Sequence, residues 1–458
     1  MDGTTQQQSG TPARETAELA GPRAQQIFGW FGKSLPQSFF QSLKEDLELI
    51  ENRCVFTLPV TTWLMIMQRL SPRGTLATAV AELIHGNGRE LLEPCKRVRE
   101  GNISASTGAY SQARQRIPVE AARRVAERTF DHLHEMGPRE ALRDRLFLLD
   151  GSSIQLAHSP AVLKVYPPAE NQHGPSHWPV MRVAVLHHVV TGLAMAPQYG
   201  AMYGPDAVSE QGLAEALIDR LPPSSVLIGD RNFGIFSVAW RALQGRHKVL
   251  VRLTEARAKR LNGGQLRPGS DEKAIWEPSR EDRRTHPNLP AEARIEGRLI
   301  VAQVKGAEGT ICLFTTLEEP TEQVVSLYKE RWNIETDLRS LKEQVRLHTI
   351  PARSPDLVAS ELLIAIASYN LIRAVMAEAA RQIDIEPRRL SFSRSRESFW
   401  AFARAVAHVD SQEQFEYHWR LLLRSISQCK LPTRSRPSAP RLVWHKRQNF
   451  PGRKVQKP

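Results

Sequence analysis

From Ala24 to about Gly137 the apolar positions recur at helical spacing. Leu64, Met67, Leu70, Leu76, Val80 and Leu83 predict helix across Leu58 to Ile84, with a turn at Pro72 and Gly74. Val119, Ala122, Val125, Ala126, Phe130 and Leu133 fall on one side of a helix within Thr107 to Met136. The rhythm then changes. Leu146 to Leu149 is a short continuous apolar run ending at Asp150, the pattern of a buried strand. Val180 to Val190 and Gly192 to Tyr203 read as two strands about a tight Thr191-Gly192 turn. Ser209 to Leu221 reads as a helix, and Val226 to Gly229 as another buried strand, ending at Asp230. Phe236 to Gln244 follows as a helix and Lys248 to Leu253 as a strand.

Residues 255 to 310 are polar and rich in Arg and Gly, with Ile295 to Val304 as a strand; they read as an inserted β-rich unit. Thr310 to Thr315 is one more strand. Thr321 to Val345 is expected as a single long helix and Ser354 to Ile383 as another, with helix continuing from about Ala379 to Ser427. Hairpin strands, helix, strand, helix, strand and long helix in that order predict a mixed α/β sheet with helices on both faces. Residues 1 to 24, rich in Gly, Thr, Gln, Ser and Ala without apolar periodicity, predict a disordered tail.

Composition narrows the class of protein. With 458 residues and 41% hydrophobic content the chain is long enough for two or three domains with real cores. A net charge of +13 favours polyanionic partners, nucleic acid first. Much of it is local: 430 to 458 holds nine Lys or Arg, five Pro and no Asp or Glu, so the rest of the chain nets only +4. Such a tail is either a solvated end or a segment that lies along a duplex. Cys54, Cys95, Cys312 and Cys429 form no CxxC pair and no zinc spacing, and read as reduced core thiols. No uninterrupted apolar run approaches membrane length and the N-terminus has no apolar signal core, which predicts a cytoplasmic protein without membrane contact.

Two carboxylates then stand out. Asp150 (LFLLDGSS) and Asp230 (VLIGDRNFG) each close an apolar strand, where open α/β sheets place their sites. A lone Asp there is commonly only a turn former; two on neighbouring strands invite a shared role. The expected helix at 321 to 345 adds a third. Tyr328, Arg331, Glu335 and Lys342, at offsets of 0, 3, 7 and 14, share one narrow edge of a straight helix, beside the stripe of Leu327, Ile334, Leu338, Leu341 and Val345. Taken alone that edge is a solvated face with an Arg331–Glu335 pair. Three converging carboxylates repel one another unless a divalent cation joins them, and Mg²⁺ suits an oxygen donor set.

The spacing Tyr-x₂-Arg-x₃-Glu-x₆-Lys, present as YKERWNIETDLRSLK from Tyr328 to Lys342, resembles the signature of the bacterial cut-and-paste DDE transposases of the insertion-sequence-four group. DGS at Asp150 to Ser152 and DRNFG at Asp230 to Gly234 match the contexts of the other two carboxylates. The resemblance runs from about Leu58 to the C-terminal tail, strongest over 145 to 350 and weak before residue 50. It implies a ribonuclease-H-like mixed-sheet catalytic core with a β-rich insertion between Asp230 and Glu335. It also implies Asp150, Asp230 and Glu335 as catalytic ligands of Mg²⁺ or Mn²⁺, and Tyr328, Arg331 and Lys342 as phosphate-binding groups. The implied partners are double-stranded DNA, as element ends and as target, and a second copy of the chain in the DNA complex. Some relatives stack a flipped base on a Trp of the insertion; Trp276 is the one Trp in that segment and equally suits burial in a small core.

The expected organisation is a tail (1–24), a helical DNA-binding region (25–140), a catalytic domain (141–378) with an insertion at about 255–310, a helical region (379–429) and a basic tail (430–458). Two alternatives to a strand-transferring enzyme stay open: a related nuclease that only hydrolyses DNA, and a non-catalytic DNA-binding regulator. Gly32-Lys33-Ser34 lacks the first glycine of a phosphate loop. His187-His188, in a strand and without a third ligand, reads as structural.

Overall fold

A computed structural model describes residues 29–50, 54–137, 141–171, 174–303, 310–409 and 411–432. The expected N-terminal tail and all but the first three residues of the basic tail lie outside these. The described residues form two compact units, one from 29–114 together with 396–425, the other from 115–395 with 426–432.

The first unit is helical. Helix α1 (Leu58–Leu70) carries Pro at its second position, which suits a helix start, and is buried on nearly every side. It gives way at Ser71 to a turn in which Gly74 takes positive φ; Thr75 then caps α2 (Leu76–Ile84) through the Thr78 N–H. Trp63 of α1 donates to Asn87 Oδ1 at 3.2 Å and packs edge-on against Phe31. Phe402, Phe415 and Trp419, from the helices that span 396–425, cluster in the same unit.

The second unit is built on a nine-stranded sheet. Its strands are β1 (Leu146–Leu156), β2 (Val180–His188), β3 (Gln198–Ala201), β4 (Val226–Gly229), β5 (Lys248–Leu253), β6 (Asp271–Trp276), β7 (Ile295–Gln303), β8 (Thr310–Thr315) and β9 (Thr349–Ile350). They lie in the order β3-β2-β1-β4-β5-β8-β7-β6, with β9 beside the far end of β1. β4 and β9 pair parallel to β1, and β5 parallel to β4, while the β1–β2–β3 hairpins and β5–β8–β7–β6 are antiparallel. This mixed sheet with helices against it is the ribonuclease-H-like architecture expected from the sequence. The connection from β2 to β3 turns at Gly192 with φ +75°, where a Cβ would also meet Arg373 Nε at 2.9 Å.

Alternation along β1 sorts the core onto two faces. Phe147, paired with His188, meets Phe130 and His134 of α3 (Val119–Glu135) on one. On the other, Leu146 and Leu148 join Val226, Ile228 and Leu250 from β4 and β5 under Val324, Leu327, Tyr328 and Ile334. α4 (Glu210–Ile218) and α5 (Phe236–Gln244) complete the crossovers that keep β1, β4 and β5 parallel.

Four expectations change. First, the units part at 114, not 140, so α3 belongs with the sheet that its apolar side covers. Second, the β-rich insertion at 255 to 310 is built onto the main sheet: β7 pairs with β8 from Arg298 to Gln303, so β6 and β7 extend it. Third, 321 to 345 is not one straight helix. It is α6 (Thr321–Lys329), α7 (Trp332–Arg339) and a π-helical turn over Ser340–Gln344. Fourth, α8 (Pro355–Gln382) is long and apolar enough to cross a membrane, with mean hydropathy 1.5 over its best window, yet 89% of that window is buried in the protein, so here it is a core helix.

Candidate active site

The parallel ladder between β1 and β4 ends at the pair Leu149 and Gly229. Asp150 and Asp230 are the next residues on each chain, so register alone sets them side by side. Asp150 is not a strand end, as its turn-like context suggested: β1 continues to Leu156 against β2, and Asp150 pairs with Val185. By alternation it projects from the face of Leu146 and Leu148, the face that α6 and α7 cover.

The electrostatics follow from that crowding. Burial pushes the Asp150 carboxyl up to about 6, helped by the charges of Asp230 and Glu210. The Gly151 N–H, donating to Asp150 Oδ1 at 2.8 Å, and the Arg331 guanidinium pull the other way. Asp230 is held by its own loop, Oδ1 accepting from the Asn232 N–H at 2.8 Å.

Glu335 reaches this pair through Arg331. Arg331 Nη2 lies 3.6 Å from Glu335 Oε1, and the same guanidinium acts on Asp150 and on the Tyr328 hydroxyl. The joint between α6 and α7 explains the arrangement. The Glu330, Arg331, Asn333 and Ile334 N–H groups all bond three residues back, so the chain turns faster there than in an α-helix. Residues three apart eclipse in such a turn, which brings Arg331 over Tyr328. The joint is fastened by Glu330, which accepts from Arg143 at 2.9 Å and from Asn333 at 2.5 Å.

Tyr328 is buried, only 6% exposed, and its hydroxyl has no hydrogen-bond partner in good geometry among the described residues. Burial raises it to about 12; the cations of Arg331 and Arg252 oppose that, and the Asp230 carboxylate adds to it. A neutral donor facing Asp230 and two guanidiniums suits an incoming oxygen ligand. Lys342 sits half-buried on the π-helical turn, its carbonyl accepting from His348. The stretch from Tyr328 to Lys342 is therefore not the single straight helix expected: a tight joint follows Tyr328, and a π-helical turn carries Lys342.

The structure thus sets Asp150 beside Asp230, with Arg331 linking them to Tyr328 and Glu335. It does not close a three-carboxylate cage: among the described residues no three His, Cys, Asp or Glu side chains gather tightly enough to hold a metal. The donor chemistry nonetheless suits a hard divalent cation, since two apposed carboxylates, one held up near 6, gain from an added positive charge.

Trp276, at the end of β6, is only 6% exposed and packs edge-on with Phe236 and Phe314, the burial in a small core that its sequence context equally suited. His187 and His188 are packed as structural groups. Burial lowers them to about 4 and about 3, and His188 bonds Thr191 Oγ1 at 2.8 Å and the Asp144 carbonyl at 2.9 Å.

Sequence reasoning missed two groups. Glu210 at the start of α4 faces the site, yet an acidic residue after a Ser cap is ordinary helix grammar. Asp337, two residues beyond Glu335, is fully buried with Arg373 and Arg388. These cations, with burial working against them, hold its carboxyl below the usual range. Arg388 also donates to the Val189 and His188 carbonyls, so the network pins α7 to the end of β2 and to α8. No signal in the sequence joined 337, 373 and 388.

Residues 141–371 match the family described as Transposase DDE domain. The chain is 27% identical over 357 residues to the transposase InsG for insertion sequence element IS4 of Escherichia coli (strain K12). That alignment covers 75% of this chain and 77% of the relative. Over 103 residues, 22% of this chain and 27% of theirs, it is 30% identical to two further relatives. They are the putative transposase InsL for insertion sequence element IS186A of Escherichia coli (strain K12) and the transposase for insertion sequence element IS421 of Escherichia coli.

Proposed function

The chain belongs to the transposase DDE domain family of DNA-cutting and DNA-joining enzymes, and from that premise we propose that Asp150, Asp230 and Glu335 are its catalytic, metal-binding carboxylates. The observation that carries this reading is the register of β1 and β4, which apposes Asp150 and Asp230 beside the Arg331–Glu335 pair. Enzymes of this family use divalent metal; the all-oxygen donor set favours Mg²⁺, with Mn²⁺ as substitute. A bound pair of such ions would sharpen an attacking oxygen and stabilise the leaving one in phosphoryl displacement.

The protein's own groups supply the rest. Asp150 and Asp230 hold negative charge at one point on the sheet. With a metal bound, Glu335 would be one of the groups holding it, and Arg331 would be placed to clamp a phosphate oxygen, with the buried Tyr328 hydroxyl donating to another. Lys342 adds a cation from the π-helical turn. The partners are the two ends of a mobile element and a target duplex, with at least two protomers joining the ends. The helical unit formed by the residues up to 114 and by 396–425 supplies end recognition, and the enzyme works in the cytoplasm. Trp276, 6% exposed in the core, would have to leave its packing to stack on a flipped base.

The test supplies a pre-cut duplex end with a free 3′-hydroxyl, taken from the DNA that flanks the gene, together with a target plasmid and Mg²⁺. Joined product supports transposition. Hydrolysis without joining supports the nuclease alternative, and binding without either supports the regulator.

A further inference from the structure

Glu210 is the group at this site that no motif marks. It is the first residue of α4, after Ser209, whose hydroxyl accepts from the Gly212 N–H at 2.9 Å. An acidic residue there ordinarily complements the helix dipole. The contacts of Glu210 go further. Its carboxylate lies over Gly151, where a Cβ would come within 2.4 Å of the carboxyl carbon and 2.6 Å of Oε1. A side chain at 151 would therefore have to displace the Glu210 carboxylate. The other oxygen, Oε2, accepts from Asn232 Nδ2 at 2.5 Å.

Asn232 is gripped at both ends of its amide. Its side-chain oxygen accepts from Gln211 Nε2 at 2.8 Å while its amino group goes to Glu210. Its backbone N–H donates to Asp230 Oδ1 at 2.8 Å. The start of α4 thus fastens the loop that presents Asp230 and passes over the backbone beside Asp150. We propose that Glu210 is a positioning residue, fixing Asn232 and through it the Asp230 carboxylate against Asp150. This rests on the reading of Asp150 and Asp230 as the metal-binding pair. Groups that orient a ligating carboxylate set how well it holds its ion, although they never touch it.

The experiment is single-turnover cleavage of a duplex carrying the flanking terminal DNA, with Mg²⁺ titrated, on the full chain, the variants E210A, E210Q and N232A, and the double variant E210A/N232A. Duplex binding without divalent ion and thermal unfolding are measured alongside. E210A is expected to cut about tenfold more slowly and to need about tenfold more Mg²⁺, the usual cost of losing an outer hydrogen bond at a metal site, with duplex binding intact. E210Q keeps an oxygen for Asn232 and discards the charge, so it recovers most of the rate and of the Mg²⁺ affinity. N232A matches E210A, and the double variant is no worse than either, as for two residues acting through one contact. Wild-type cleavage with E210A unchanged in rate and Mg²⁺ need overturns this proposal alone. So does an E210Q as poor as E210A, or a double variant whose losses multiply. Should E210A fail to fold, E210Q and N232A still decide. A wild-type chain that cuts nothing overturns the underlying reading of the site and this one with it.

Discussion

Burial and two neighbouring carboxylates work against the charged form of Asp150, while one N–H and one guanidinium favour it, and the balance leaves the group near 6. His187 and His188 are the mirror case: burial lowers bases instead of raising an acid. Their signs oppose in a stability profile. A histidine whose folded pKa is depressed contributes stability that is whole above the unfolded value and falls away as pH drops through about 6.5 towards the folded value. Asp150, raised in the folded state, gains relative stability as pH drops through about 6. Between pH 7.5 and 6 the two histidines together cost roughly 1.6 kcal/mol, of which Asp150 returns roughly 0.4. Urea unfolding followed by the tryptophans is expected to show stability lower by about 1 kcal/mol at pH 6 than at pH 7.5. A flat or rising profile would mean that the histidines do protonate in the folded chain. At this scale the sequence was most legible where backbone pattern decides. The two aspartates each follow an apolar run, and their meeting needs only strand register. It was least legible for Trp276 and Glu210, whose roles depend on neighbours from distant segments.

Helices and strands were read well wherever apolar periodicity was uninterrupted, as in α1, α3 and the apolar start of β1. The failure at 321 to 345 has a physical source. A helical wheel assumes one constant turn angle, and neither a tight joint at Glu330 nor a π-helical turn after Arg339 leaves a mark in the apolar stripe. What holds α7 at the angle that presents Glu335 is the buried Asp337 with Arg373 and Arg388, the last at 2.8 Å. Removing one partner of such a network leaves buried charge behind, at a cost of about 3–5 kcal/mol. Asp337→Ala is therefore expected to lower the stability of the catalytic unit by that order and to abolish cleavage. A variant that unfolds at the wild-type urea concentration would show that the network contributes nothing to holding α7.

The molecule as a whole pairs a helical unit, assembled from both ends of the chain, with a sheet unit that carries the chemistry. The sequence showed that both parts exist but not where they divide. Residues 396–425 look like a separate helical region until their contacts with the N-terminal helices are seen. The basic segment 430–458 holds nine cations, most of the net charge. If it runs along a duplex, each phosphate it neutralises adds roughly 0.9 to the slope of log affinity against log salt. Deleting 430–458 is expected to flatten that slope measurably; an unchanged slope removes the segment from the DNA interface.

On the proposed reading Glu335, joined to the aspartates through Arg331, completes a metal site with Asp150 and Asp230. Glu335→Gln keeps the size of the side chain and removes its charge. In the pre-cut-end assay with Mg²⁺ the variant is expected to bind the duplex as the wild type does and to form no joined or cleaved product. Cleavage or joining by Glu335→Gln at the wild-type rate would contradict the account.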